Sequence, residues 1–392
     1  MKRLSIDRSS ILLLVILAFL GGMVVFLAMS LRSDAVDLAM KSDRILNLAV
    51  IIEREGSPSS TQLFLFYPAN GRGALLDVPG ETGLIIKSLN RVDRIDVLYD
   101  RRRPKAYIGE IAELLGAELP YWIVFDEKGL EGAVDLMEGI ESFMPAPVDL
   151  SGPPRALLPS GAVVLDGAKA AQFAFYRDPE EGEADAAARR QKVFQSIVRR
   201  MGEKAAWITR PDVFPVFRRY LRTNLSDDSL RRLFPELARL DADRLVLQRV
   251  TGVNRNVDGK RLLFPHYDGE LVRDIVKQTL NALANSGSSS PADKIFTIEV
   301  LNGTPVKGLA KRAAEIYQSF GYDVVSVGNA DREDYERTSV LDRYSNPEAT
   351  RNIAGVIRCA NTGAQAASPG GEATADFTIV LGKDFNGRYC AQ

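Results

Sequence analysis

The sequence predicts an α/β protein in three parts: a single N-terminal transmembrane helix, a large mixed α/β domain and a small C-terminal α/β domain. Three observations predict it. Residues 11–31 (ILLLVILAFLGGMVVFLAMSL) form an apolar run without a charged residue. Residues 45–285 alternate strand-length apolar runs with segments of helical spacing. A linker at 286–293, in the Ser/Gly-rich stretch after Asn285, then breaks the pattern, which restarts and continues over 294–386.

At 1.5 Å per residue, the first run spans roughly 30 Å, the thickness of a bilayer's hydrocarbon core. The alternatives are a cleaved signal peptide, with a weak small-residue signal at Ala28-Met29-Ser30, and a buried core helix. Signal h-regions are usually shorter, about 7 to 15 residues, and soluble helices are rarely apolar all round. The leading residues 1–10 carry Lys2, Arg3 and Arg8 against Asp7. The positive-inside tendency then makes them a cytoplasmic tail and sends the bulk of the chain outside. The expected location is the cell membrane, single-pass, with the working parts extracytoplasmic and the membrane itself a partner through residues 11–31.

In the large domain, Ile45 to Ile52 reads as a strand buried on both faces. Gln62 to Phe66 and Ala74 to Val78, around a turn at Pro68-Ala69-Asn70-Gly71, read as a hairpin. Helical spacing covers 104–115, with Gly116 as its cap. Tyr121 to Phe125 is a strand, 128–137 a helix, and Pro145 to Pro159 a loop. Further helices are expected at 184–201, 211–222, 226–240 and 269–285. The small domain is expected to run strand 296–301, helix 307–320, strands 322–327 and 338–342, helix 347–358 and strand 376–381.

Composition removes several function classes. The 392 residues carry 50 Lys plus Arg against 51 Asp plus Glu, a net charge of -1, so the basic excess of a nucleic-acid binder is missing. One histidine and two cysteines cannot build a zinc site of the four-cysteine, two-cysteine/two-histidine or three-histidine kind. Histidine acid/base chemistry would have to run through His266, which reads more simply as a structural residue between a strand and a helix. No P-loop, G-x-G-x-x-G, G-x-S-x-G or EF-hand pattern is present. Arg101-Arg102-Arg103-Pro104-Lys105 is the densest basic run, suited either to anionic headgroups or to a solvated helix entry. Cys359 and Cys390 both fall in the last domain, where an extracytoplasmic setting makes them a candidate disulfide, two free thiols being the alternative.

Leu165-Asp166-Gly167-Ala168-Lys169-Ala170, followed by Tyr176-Arg177-Asp178 and Arg189-Arg190-Gln191, resembles the core signature of LytR–CpsA–Psr proteins. Tyr121 to Asp126, with Gly129-Leu130, Val134-Asp135 and Gly139-Ile140-Glu141, is similar to a second stretch of that domain. Ile298 to Thr304 with Gly308-Leu309-Ala310 resembles the LytR C-terminal domain. The resemblance implies an outer-face phosphotransferase that moves a glycopolymer from a polyprenyl pyrophosphate carrier onto peptidoglycan or a related acceptor. It implies arginines on the pyrophosphate, carboxylates that hold Mg2+ or take a proton, and an apolar pocket for the lipid.

This sequence departs from that plan. The arginine and aspartate before the hairpin's first strand fall at about Pro58 and Ser60, and the Pro-Arg-Asp after its second strand reads Pro79-Gly80-Glu81. The paired arginines of a later strand read Phe175 and Arg177, and another arginine falls at about Ala187, leaving Arg189 and Arg190. Glu53 is the replacement for the first aspartate. Each charge-assisted contact to phosphate is worth roughly 1.5–3 kcal/mol, so losing even three of these four arginines forfeits several kcal/mol. The expectation is a degenerate, non-catalytic binding or scaffolding member that needs no cofactor. Its partners would be a polyprenyl-phosphate lipid, peptidoglycan or envelope proteins, not nucleic acid. Residual ligand contacts are expected at Arg177, Arg189 and Arg190, with Arg177 also readable as a solvated strand-end residue. The alternative is a Mg2+-dependent transferase or pyrophosphatase using Glu53, Glu81, Arg177 and Arg190, which would then converge on one cleft beside an apolar tunnel.

Overall fold

The structure is a computed structural model that describes residues 44–144, 146–150, 155–176, 183–284, 296–343, 346–364 and 375–391. The expected membrane helix at 11–31, Arg177 and the linker at 286–293 lie outside them. Among the described residues no helix is long and apolar enough to cross a membrane.

The large domain begins with β1 (Leu46–Arg54), β2 (Ser57–Tyr67) and β3 (Arg72–Asp77), then a small hairpin, β4 (Gly83–Ile86) and β5 (Arg91–Arg94). Helix α1 (Lys105–Leu115), β6 (Tyr121–Asp126), α2 (Glu127–Leu136) and β7 (Ile140–Met144) follow. A second hairpin, β8 (Val148–Leu150) and β9 (Ala156–Leu158), precedes β10 (Gly161–Leu165), α3 (Gly167–Phe175) and α4 (Glu183–Glu203). Two short helices, α5 (Ala205–Ile208) and α6 (Phe214–Arg218), lead to β11 (Arg222–Thr223) and α7 (Asp227–Leu237). The domain closes with β12 (Val246–Arg249), the hairpin β13 (Gly252–Val257) and β14 (Lys260–Pro265), and α8 (Glu270–Ala284).

Its central sheet runs β11-β6-β1-β2-β3-β12. β1 lies antiparallel to β2 and parallel to β6, and β3 is parallel to β12. The ends of β1, β3, β6 and β12 therefore meet the start of β2 along one edge of the sheet. In open α/β sheets the carboxyl ends of parallel strands form the ligand-binding crevice. A bulge between Ile52 and Glu53 turns the end of β1.

Strand alternation sends side chains to two cores. Ala49, Ile51, Leu63, Leu65 and Leu76 face Tyr107, Ile108 and Ile111 of α1 and Leu271, Val272 and Ile275 of α8. Leu48, Val50, Phe64 and Phe66 face Val134 of α2, Phe194 and Ile197 of α4, and Phe234 of α7. Phe64 meets Phe194 edge-on with ring centroids 5.9 Å apart. Each large side chain buried there contributes roughly 1.5–3 kcal/mol of transfer free energy. Local signals fix the helix ends. Asp126, Asp166 and Ser226 accept from Gly129 N, Lys169 N and Ser229 N at 2.8, 2.9 and 3.0 Å. Gly116 closes α1 with φ +62°, a conformation that favours glycine.

Several expectations are corrected. The expected loop at 145–159 contains the β8–β9 hairpin, because three-residue strands are too short to leave a periodic signature. The helix expected at 211–222 covers only Phe214–Arg218, with Pro215 at its start and β11 already begun by Arg222. Phe175, expected on a strand, ends the Asp166-capped helix α3.

The small domain comprises β15 (Thr297–Asn302), α9 (Leu309–Ser319), β16 (Asp323–Asn329), β17 (Ser339–Asp342), α10 (Pro347–Val356), β18 (Thr362–Ala364) and β19 (Phe377–Leu381), with sheet order β16-β15-β19-β17-β18. Its buried Ile298, Val300, Tyr317, Ile353 and Phe377 belong to the same apolar cluster as α1 and α8 of the large domain. The two domains thus share one core.

Candidate functional site: two ionic clusters at one sheet edge

Glu53 stands next to last in β1 and is only 2% exposed. The Tyr99 hydroxyl donates to its Oε2 at 2.8 Å, Arg101 Nε lies 3.0 Å from Oε1, and Arg222 of β11 also bonds it. Arg101 reaches Asp126, the cross-strand partner of Glu53, at 2.8 Å. The guanidinium of Arg222 also donates to the Arg101 carbonyl, tying both arginines together. Burial, reinforced by the bond to Glu53, pushes the Tyr99 hydroxyl well above its ordinary value, so it stays a donor. Tyr99 packs edge-on against Tyr107, whose hydroxyl meets Thr61 Oγ1 at 2.8 Å, so this cluster lies on the α1 face.

The second cluster lies on the opposite face. Asp77 ends β3 fully buried, and Arg190 of α4 grips it twice, Nε–Oδ1 at 3.1 Å and Nη2–Oδ2 at 2.8 Å. Gln62, opposite Asp77 on β2, donates to Oδ1 as well. Arg189 is also buried: it donates to the Tyr176 carbonyl at 2.9 Å and sits over the Tyr176 ring, 5.0 Å from its centroid. Gln191 donates to the Gln248 carbonyl at 2.5 Å, pinning α4 to β12.

The structure therefore separates the sequence candidates. Glu53 and the Asp77–Arg190 pair lie on opposite faces of one sheet. Glu81 stands half-buried beyond β3, its carbonyl accepting from Leu263 N at 2.9 Å. Beside it, a Cβ at Gly80 would come within 3.0 Å of Asp96 Oδ2, and that carboxylate is held by Arg94, with Nε 3.0 Å from both oxygens. An Arg94–Asp96 pair thus fills the space that a side chain at 80 would enter. Arg177 lies outside the described residues. Of the basic run 101–105, Arg101 serves Glu53, while Arg102 and Arg103 are exposed.

Sequence reasoning missed Asp77, Tyr99, Asp126 and Arg222. Asp77 had a usable signal: a carboxylate inside the otherwise apolar ALLDV, which a buried strand tolerates only with a partner. Arg222 had none, because its role depends on a two-residue strand.

Glu53, Asp77 and Asp126 are each paired with a guanidinium, and among the described residues no group of three or more His, Cys, Asp or Glu side chains that could hold a metal ion occurs. Cys359 and Cys390 are both free thiols and both buried.

Comparison with known proteins accords with this architecture. The LytR_cpsA_psr family matches residues 70–278, and LytR_C, described as LytR cell envelope-related transcriptional attenuator, matches 296–385. No curated protein matches. Among solved structures, TagV of B. subtilis superposes with a TM-score of 0.54 at 16% identity, covering 61% of this chain and 98% of TagV. A transcriptional regulator from Enterococcus faecalis gives 0.53 at 16%, covering 62% and 90%. TagT bound to LIIa-WTA gives 0.52 at 15%, covering 60% and 90%. At such identities these neighbours speak to the fold. The family match, by contrast, spans more than half of the 392 residues, 70–278, and a LytR_C domain follows it: this chain belongs to the LytR–CpsA–Psr family.

Proposed function

We propose that, within the cell-wall glycopolymer assembly general to its family, this chain is a membrane-anchored, extracytoplasmic binding or scaffolding member without transferase activity. The observation that carries this reading is the Asp77–Arg190 pair. Arg190 is one of the residues that the resemblance assigns to the pyrophosphate, and here a buried internal carboxylate holds it in a two-point grip. For a phosphate to take that guanidinium, it would have to displace Asp77 and leave a carboxylate unpaired in a low-dielectric site. The positions where the resemblance implies arginine read Pro, Gly, Phe and Ala at about 58, 80, 175 and 187, which works in the same direction. The proposed partners are the membrane through residues 11–31 and, following TagT bound to LIIa-WTA, a glycopolymer or its polyprenyl-phosphate carrier.

The test is phosphate release by the purified full-length chain from a polyprenyl pyrophosphate with Mg2+ present. No release above the protein-free control is expected. Turnover that disappears in Arg190→Ala, with the fold retained, overturns the reading.

A transferase reading has one observation in its favour. Arg101 and Arg222, 57% and 34% exposed, present guanidinium groups at the carboxyl edge while a buried carboxylate fixes their position. If that cluster works on a pyrophosphate, Arg222→Ala abolishes release and Glu53→Gln lowers it.

A further inference from the structure

The last described residues form a clasp between the two domains. Phe385 and Cys390 bridge as a miniature hairpin, and Cys390 N donates to Ile357 O at 2.9 Å, just beyond α10. Between them, Gly387, Arg388 and Tyr389 reach into the large domain. Tyr267 donates to the Gly387 carbonyl. Arg388 Nη2 and the Tyr389 hydroxyl both bond Asp274 Oδ2 of α8, at 2.8 and 2.5 Å. Arg388 is buried: its Nη1 donates to Val356 O at 3.0 Å and its guanidinium lies 4.1 Å from the Tyr389 ring centroid. Arg358 also lies over the same ring, 3.7 Å from its centroid.

Cys359 lies two residues beyond Ile357, whose carbonyl accepts from Cys390 N at 2.9 Å, so the two cysteines meet at the base of this hairpin. Both are buried among apolar residues of the shared core. Cys359 Sγ also lies 3.4 Å from the carbonyls of Thr338 and Asn361, so the cysteine is fixed at the end of the helix rather than free to turn away.

We propose that Cys359 and Cys390 are an oxidation site: their disulfide staples the C-terminal hairpin to α10 and so locks the clasp that Arg388 and Tyr389 make on Asp274. The reaction needs a disulfide oxidant such as oxidised glutathione. The Cys359 thiol loses its proton and attacks one sulfur of the oxidant, whose other half leaves as a thiolate and is protonated. The Cys390 thiol then loses its proton and attacks Cys359 Sγ in the mixed disulfide, expelling the second glutathione thiolate. Two protein thiols are oxidised and one small-molecule disulfide is reduced to two thiols. The neighbouring Cys390 lowers the Cys359 thiol below its ordinary value, which favours Cys359 for the first attack; the reverse order gives the same disulfide. In the cell the step rests on the extracytoplasmic placement proposed above; in the test tube it does not.

The experiment uses the purified full-length chain, incubated with oxidised glutathione or with a reductant, then unfolded without reductant and alkylated. The oxidised sample is expected to take up no alkyl group and the reduced one two. Oxidation should also raise Tm by on the order of 10 °C. Hydrogen exchange of α8 around Asp274 should slow by at least several-fold, and Cys390→Ser should behave as the reduced protein under both treatments. Full alkylation after oxidation overturns the site. A disulfide that forms with no change in exchange around Asp274 overturns the clasp. Because oxidised and reduced wild type are compared directly, the outcome stands even if the serine variant does not fold. None of these readouts depends on phosphate release, so the inference fails or holds independently of the assay for transferase activity.

Discussion

The two faces of the central sheet meet the same problem, a carboxylate at a strand end, and solve it differently. On the α4 face Asp77 and Arg190 are both sealed, with side chains 1% and 8% exposed. On the α1 face Glu53 is equally buried, but its partners Arg101 and Arg222 are 57% and 34% exposed. A sealed pair is satisfied only by its own members, whereas an open pair still shares its guanidinium groups with water. The sealed face therefore behaves as structure, and the open face is the one an external anion can reach.

Breaking the sealed pair gives the largest expected effect. Arg190→Ala strands Asp77 in the core and should cost about 3–5 kcal/mol by urea denaturation. The uncharged double variant Asp77→Leu/Arg190→Met should recover most of that. If the single and double variants are equally destabilised, the pair is not the sealed unit described. On the open face, Glu53→Ala leaves two arginines that water can solvate, and the expected loss is about 1–3 kcal/mol. Arg101→Ala should cost less than about 1 kcal/mol, because the side chain is more than half exposed. Equal losses for Arg101→Ala and Arg190→Ala would erase the contrast between the faces.

Smaller effects appear as pH dependence. Asp93 of β5 is held at about 2 by the hydrogen bond from Lys260, then by the Arg94 backbone N–H and Arg91. Its folded value is depressed, so its contribution is complete above roughly pH 4 and is lost as pH falls towards 2. Asp93→Asn should flatten that part of an acid-unfolding curve. His266, opposite Glu315 across the domain junction at 3.7 Å, is lowered by burial and by Arg312, against the pull of Glu315. A lowered folded value means that the unfolded chain takes the proton first. Stability is therefore complete above about pH 6.5 and declines as pH falls below it, a decline that His266→Gln should remove from Tm measured between pH 7.5 and 5.5.

The strong periodic segments were legible because their burial is nearly complete. The first strand, the β2–β3 hairpin, the helix capped by Gly116 and the YWIVF strand all stand within a few residues of where apolar spacing puts them. The short β8–β9 hairpin and two-residue β11 were not legible, since such pairings draw their stability from neighbours rather than from their own sequence. The candidate site was legible only in part. Glu53 and Arg190 stood out through the family resemblance, but nothing in the order of residues reveals which face of the sheet each will serve.

By itself the sequence determined the α/β class, the C-terminal α/β domain and the family signature, because these are matters of residue type and local period. Only the tertiary structure decided that Arg190 is spent on Asp77, that Arg94–Asp96 stands beside Gly80, and that Arg101 and Arg222 share Glu53. The physical reason is that a charge is defined by its neighbour, and those neighbours arrive from 2, 48, 113 and 169 residues away along the chain.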